Sequence, residues 1–297
     1  MHDANGCWAL IVHGGAKSIA PEKAEANRAG CFAAARIGAE ILGGGGSAVA
    51  AAEAAVRHLE DDDTFNAGIS SVPNADGEIE MDAAIMDGTM LAIGAVAAVR
   101  RIRNPIGAAA KMLDALPVLL VGEGAERFAR DHGIALCEPE ALAAPPAAAG
   151  SPEHDTVGCV AIDAAGHIAA AASTGGLTGQ HPGRIGDAPI PGAGLYADDQ
   201  LGGVAFSGDG ESILRTMLAA RVMQALETME ATPAAEAAIA RLARVGGEAG
   251  AIVIDRAGRF GVAHNSEHFA LALHASWLPE PRAALHSSEL KDVLDHD

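Results

Sequence analysis

Basic residues are scarce. Twenty Lys and Arg face thirty-nine Asp and Glu in 297 residues, a net charge of −19. No basic stripe of the kind that neutralises phosphates can be assembled from them, which excludes nucleic acid and anionic membrane as expected partners. Cysteine is equally sparse: Cys7, Cys31, Cys137 and Cys159 show neither metal-ligand spacing nor disulfide density, a usage that suits a reducing compartment. Twelve histidines are present, yet His13, His58 and His132 lie far apart and form no His-x-x-x-His pair, so no catalytic metal is expected. The acidic run Glu60-Asp61-Asp62-Asp63 lacks the alternate ligand spacing of a calcium loop and reads as a solvated charge run. No apolar stretch reaches membrane-spanning length. Residues 1 to 12 contain Asp3 and lack a basic region followed by a long apolar run, so the expectation is a cytoplasmic protein without a signal peptide.

What is plentiful is apolar residues, 49% of the chain, enough for a sizeable core. Trp8 to Val12 reads as a short buried strand broken by His13-Gly14-Gly15, and Pro21 opens a helix through about Leu42. Ser47 can cap a second helix whose Val49, Ala52, Val56 and Leu59 share one face. Strands are expected at Glu78 to Met86, Leu91 to Val99 and Pro117 to Val121, with helices from Pro105 to Ala115 and Gly124 to His132. Residues 138 to 155 carry no amphipathic period and resist a helix, which makes them a linker. A hairpin follows, Thr156 to Asp163 and His167 to Ala172 around Ala164-Ala165-Gly166. Two apolar runs then precede a single helix from Glu211 to about Met229, with Leu214, Met217, Leu218 and Val222 on one face, and another helix near Pro233. Strands Ala251 to Asp255 and Arg259 to Ala263 flank a turn at Arg256-Ala257-Gly258. Strand groups, helix pairs and strand groups in this order suggest an α+β class with two antiparallel sheets.

The most informative junction is Asp155-Thr156, where the linker meets a strand. Three segments follow it: Ser173-Thr174-Gly175-Gly176, Gly183-Arg184-Ile185-Gly186-Asp187 and Ser207-Gly208-Asp209-Gly210-Glu211. Others precede it: Ile11-Val12-His13-Gly14-Gly15-Ala16, Phe65-Asn66-Ala67-Gly68-Ile69, Met81-Asp82-Ala83-Ala84-Ile85-Met86-Asp87-Gly88 and Val121-Gly122-Glu123-Gly124-Ala125-Glu126. In this order they resemble the plant-type L-asparaginase and isoaspartyl peptidase family of N-terminal nucleophile hydrolases, over nearly the whole chain. The resemblance implies a four-layer αββα sandwich in one domain. It also implies self-cleavage between Asp155 and Thr156 into residues 1–155 and 156–297, no catalytic cofactor, and an assembly of two processed pairs.

A threonine hydroxyl is a weak nucleophile, and a free α-amino group on the same residue, titrating near neutrality, can serve as its base. The resemblance assigns that role to Thr156 after cleavage. It places Thr174 in hydrogen-bond contact with the nucleophile and Asn66 near the scissile bond. Arg184 and Asp187 can converge on one ligand: an Arg fork matches a carboxylate and an Asp accepts from an ammonium. The same spacing fits an ordinary surface ion pair, worth under about 1 kcal/mol. By resemblance Arg184 holds the substrate α-carboxylate and Asp187 its α-ammonium. Gly208 and Gly210 allow close main-chain approach to a ligand. In the family a threonine hydroxyl and the next glycine's N–H form the oxyanion hole; here the pair is Ser207-Gly208, and the lost methyl suggests looser positioning of the hydroxyl. Main-chain oxygens of Leu59, Glu60, Phe65, Ala67 and Ile69 resemble a loop that wraps a structural sodium ion.

The implied activity is hydrolysis of small β-aspartyl amides, L-asparagine and isoaspartyl dipeptides. His154-Asp155-Thr156 and Pro189-Ile190-Pro191-Gly192-Ala193-Gly194 also look like the glycosylasparaginase branch, against which stand the missing signal peptide and disulfide framework. A non-catalytic protein that binds an amino acid or a partner through the Arg184 and Asp187 loop is the rival from another class.

Overall fold

The computed structural model describes residues 6–142 and 156–294. From the N-terminal side, β1 (Ala9–Lys17) leads through α1 (Ala24–Gly43) and α2 (Ala48–Glu60) to β2 (Met81–Asp87) and β3 (Ala92–Val99), then α3 (Pro105–Met112), β4 (Leu119–Val121) and α4 (Gly122–Asp131). Beyond residue 155 come β5 (Val157–Ile162), β6 (Ile168–Thr174), β7 (Leu195–Asp198) and β8 (Gly202–Gly208), then α5 (Gly210–Thr216), α6 (Leu218–Leu226) and α7 (Ala231–Ile239). The remainder is β9 (Ala249–Asp255), β10 (Phe260–His264), β11 (His268–Ala275), β12 (Arg282–Ala284) and α8 (Lys291–Leu294).

The strands form an eight-stranded sheet, β12-β11-β1-β5-β6-β2-β3-β4, and a four-stranded sheet, β10-β9-β8-β7. Side chains alternate across a strand, so each sheet can feed two cores. On one face of the large sheet Leu10, Val12, Ile85, Val157 and Cys159 pack with helical Ala34, Ala52 and Ile106. On the other, Ala9, Ile11, Ala84 and Val160 pack with Ala205, Ile252 and Ile254 of the small sheet. Val204, Phe206, Ala251 and Val253 on the far face of the small sheet pack with Ile213, Leu218, Val222 and Ala235. The fold is therefore mixed, with helices and two sheets.

Ser47 caps α2 by accepting the Ala50 N–H, as the sequence leads one to expect. Four departures have identifiable causes. The strand at Trp8 does not stop at Val12: β1 runs on to Lys17, absorbing the glycines in a bulge between His13 and Ala16, with Gly15 at φ 113°. Strand β4 pairs parallel to β3, because the chain returns through α3 as a crossover, so the large sheet is not wholly antiparallel. The expected helix Glu211 to Met229 is two helices, broken where Met217 turns left-handed at φ 51°, ψ 54°. There Ala219 and Ala220 donate to the Ala193 and Gly192 carbonyls, a long-range tie that restarts the helix and leaves Met217 39% exposed while Leu218 and Val222 are buried. Finally, the first residues assigned to the linker are built in: Pro139–Ala141 form a 3-10 turn, Leu142 is fully buried, and its carbonyl accepts the Ser71 N–H. Residues 143–155, including Asp155, lie outside the described residues.

Candidate active site

The register of the large sheet places the site. Val157 pairs with Ser173, and Asp82 pairs with Thr174. Thr156, one residue before Val157, thus lies at the Thr174 end of the β5–β6 pair. Because Val157 and Ala83 face the helices, Thr156, Thr174 and Asp82 share the opposite face. Both threonines are 5% exposed. Thr174 Oγ1 accepts the Gly176 N–H at 3.2 Å. Asn66 stitches the same turn: its carbonyl accepts from Gly175 N–H at 2.8 Å, its Nδ2 donates to Gly176 O at 2.8 Å, and its Oδ1 accepts from Val72 N–H at 3.1 Å.

His13, to which the sequence assigned no role, lies against the Thr156 main chain. Burial pushes its pKa down to about 3 and outweighs the raising influence of the Thr156 backbone, so the ring is neutral at neutral pH. Neither ring nitrogen has a hydrogen-bond partner among the described residues. A Cβ on Gly158 would stand 2.4 Å from His13 Nε2, so only glycine there admits the ring. The same strand reaches the other side of the site: Ala16 N–H donates to Ser207 Oγ at 3.1 Å. Ser207 is fully buried, and Gly208 adopts φ 146°, with a Cβ position only 2.2 Å from the Glu248 carbonyl.

Arg184 does not pair with Asp187. Its Nε and Nη2 fork onto Glu211 at 2.8 Å each, and Nη1 reaches Gln180 Oε1 at 3.4 Å. Of the guanidinium's five hydrogens, one on Nη1 and one on Nη2 are left unused by these bonds. Asp187 is 3% exposed, and its Oδ2 has no hydrogen-bond partner among the described residues. A Cβ on Gly210 would stand 2.7 Å from Arg184 Nη2 and 3.0 Å from Asp187 Oδ1, so the missing side chain leaves room against both. Burial pushes the carboxyls of Asp187 and Asp82 up to about 7 each, against a lowering influence from Arg184. Glu211 and Asp82 lie in segments quoted from the sequence but were assigned no role there, and Gln180 was not noted. An acidic residue inside the apolar run Met81 to Met86 is the signal that Asp82 offered.

Among the described residues no group of three or more His, Cys, Asp or Glu could hold a metal ion, and no helix is long and apolar enough to cross a membrane. In the turn resembling the sodium loop, Ile69 N–H donates to Glu60 O at 2.9 Å and Ala67 N–H to Phe65 O at 3.0 Å. Each of those carbonyls keeps a second lone pair for a cation.

A family model described as asparaginase matches residues 6–149 and 143–277. Among curated proteins, an isoaspartyl peptidase/L-asparaginase from Rattus norvegicus is 47% identical over 227 residues, 71% of this chain and 68% of the relative. One so named from Bos taurus is 41% identical over 272 residues, covering 85% and 88%. Another from Danio rerio is 39% identical over 295 residues, 93% of both chains. Matched over most of its length by the family model and by relatives of this identity, the chain belongs to the asparaginase family.

Proposed function

We propose that the chain is an isoaspartyl peptidase and L-asparaginase, an amidohydrolase of β-aspartyl amides whose nucleophile is Thr156. One observation carries the reading. Arg184 Nη2 and Asp187 Oδ1 both border the space at Gly210, and the other oxygen of Asp187, Oδ2, has no partner among the described residues, a guanidinium and a carboxylate matched to a carboxylate and an ammonium. A clamp that holds the α-groups of an aspartyl unit leaves only its side-chain carbonyl free to meet Thr156.

The nucleophile is made by self-processing. Thr156 Oγ attacks the Asp155 carbonyl, the amide shifts to an ester, and water releases Asp155 as a carboxylate and Thr156 with a free α-amine. In turnover that amine takes the Oγ proton as Oγ adds to the β-aspartyl carbonyl, and Thr174 hydrogen-bonds the nucleophile. Ser207 Oγ–H and Gly208 N–H donate to the oxyanion. The proton passes to the leaving amine, and water then cleaves the aspartyl ester on Thr156. Neutral His13 beside Thr156 adds no competing positive charge.

The three interlayer clusters described above support a four-layer αββα arrangement. A sodium ion on the main-chain oxygens of Leu59, Glu60, Phe65, Ala67 and Ile69 would order the loop that carries Asn66. A dimer of processed pairs and a cytoplasmic location complete the reading; sedimentation tests the former. Comparing L-asparagine, an isoaspartyl dipeptide and glycosylated asparagine as substrates tests the function. Turnover of the last alone would assign the glycosylasparaginase branch, and turnover of none the non-catalytic alternative.

Arg184→Ala removes the charge-assisted pair to the α-carboxylate, about 1.5 to 3 kcal/mol, so kcat/KM is expected to fall roughly ten- to a hundredfold or more while self-cleavage persists. A variant that processes itself and turns over asparagine like wild type would return Arg184 to a structural partner of Glu211.

Asp187 gives a pH dependence. Its carboxyl, held up to about 7, must lose a proton to accept an ammonium. KM is therefore expected to fall about tenfold between pH 6 and pH 8, with protons released on binding. For folding the sign is opposite: between the unfolded value and about 7 the native carboxyl binds more protons than the unfolded one, so its contribution to stability is lost as pH rises. Asp82, Glu211 and Arg184 face Asp187 and modulate this titration. In Asp187→Asn, a KM that kept the wild-type pH profile would assign the titration elsewhere.

A further inference from the structure

We propose that Glu80 is a positioning residue for the substrate clamp, a buried carboxylate that fixes the loop bearing Arg184 and Asp187 and so sets affinity for the aspartyl α-groups. The proposal rests on the hydrolase reading above. Glu80 is 3% exposed. Its Oε2 accepts from Gly183 N–H at 2.8 Å and from Asn74 Nδ2 at 3.0 Å, and its Oε1 accepts from Arg100 Nη2 at 2.7 Å. Gly183 immediately precedes Arg184 and turns at φ 79°.

The hub is part of a longer seam. Asn74 Oδ1 folds the turn before β2 by accepting from Asp76 and Glu78 N–H groups. That turn then holds the clamp segment at three points: Gly179 N–H to Pro73 O at 2.8 Å, Ala75 N–H to Gln180 O at 2.8 Å, and Gly183 N–H to Glu80. Gln180 in its turn meets Arg184 Nη1. The three points run toward Arg184, and Glu80 makes the one next to it. Burial alone would raise the Glu80 pKa, yet the bonds from Gly183, Arg100 and Asn74 together hold it below the usual carboxylate range, so it is ionised at neutral pH.

All three partners of Glu80 are donors. A carboxylate can accept from them all, whereas the amide of glutamine has one oxygen and two hydrogens, and must set a donor against a donor at one end. A glutamine can turn its oxygen to Gly183 and Asn74 and lose Arg100 alone, so the informative change is Glu80→Met, of similar length, which leaves the Gly183 N–H without its acceptor. Arg100→Met removes the ion pair while leaving the Gly183 contact, and so reports what loss of stability alone would do.

The test measures KM and kcat on processed protein, and L-aspartate binding by calorimetry, for wild type, Glu80→Met, Glu80→Asp and Arg100→Met. Glu80→Met is expected to raise KM and the aspartate Kd about tenfold or more, the scale of one charge-assisted hydrogen bond, with kcat within about threefold and self-cleavage complete. Glu80→Asp, which withdraws the carboxylate by one methylene, should shift both in the same direction by less; Arg100→Met should leave them near wild type. Should Glu80→Met not fold, the Asp variant decides. Wild-type affinity in the folded Glu80 variants, or an equal loss in Arg100→Met, would overturn the proposal. Wild type that binds aspartate but hydrolyses no β-aspartyl substrate would fail the hydrolase reading instead, and the calorimetric comparison would still decide the role of Glu80.

Discussion

Thr156→Ala is expected to remain a single chain and to hydrolyse no β-aspartyl substrate. In the proposed mechanism the variant removes one oxygen that is used twice: it would attack the Asp155 carbonyl to release its own amine, and the substrate carbonyl afterwards. Without the first step the base is never made, so the two losses cannot be separated in one chain. Removal of a hydrolase nucleophile costs roughly a millionfold in kcat, which here is indistinguishable from none. The fold should survive. Thr156 precedes β5 and lies outside the ladder that holds Val157 to Ser173, and neighbouring Asn66 and Gly176 bonds do not involve its hydroxyl. The check is intact mass together with a substrate assay and a melting curve. A wild-type protein that stayed one chain yet hydrolysed substrate at full rate would discard self-processing, and an active Thr156→Ala would discard the nucleophile.

Much of the proposed site is legible in the sequence because its parts are local. The β5–β6 hairpin, the glycine-flanked loop holding Arg184 and Asp187, and the Ser207-Gly208 strand end each lie within a few residues of one another. Their mutual placement depends on pairings that no local pattern contains. The strand β11 was overlooked: His268 to Ala275 is buried on both faces, Ala270 and Ala272 toward the helices and Phe269, Leu271 and Leu273 toward the small sheet. A strand apolar on both faces gives no alternation to read. The break at Met217 is set by carbonyls some twenty-five residues earlier. The partners of Arg184 and Gly183 were hidden for the same reason. Glu211 lies 27 residues from Arg184, and Glu80 lies 103 from Gly183. An Arg three residues from an Asp suggested a pair, while the tertiary structure gave the guanidinium to Glu211 and left Asp187 with an open oxygen.

Ser207→Ala is expected to lower kcat on correctly processed protein by about a hundredfold or more, the range for losing one oxyanion donor. The serine in place of the family's threonine suggested a hydroxyl free to wander. Ala16 N–H supplies the constraint that the absent methyl would have given, since it donates to Oγ at 3.1 Å and so leaves the hydroxyl proton for a ligand. Ser207→Thr should then run close to wild type rather than above it, because the hydroxyl is already placed and a methyl added to a fully buried position must find room. The Ala variant also strands the Ala16 N–H, a buried donor whose loss costs about 1 to 3 kcal/mol of stability. Activity and melting temperature must therefore be read together: the rate loss should persist at temperatures where the variant is fully folded. Full turnover in that variant would mean that the Gly208 N–H alone carries the oxyanion, and that Ser207 serves to tie β8 to β1.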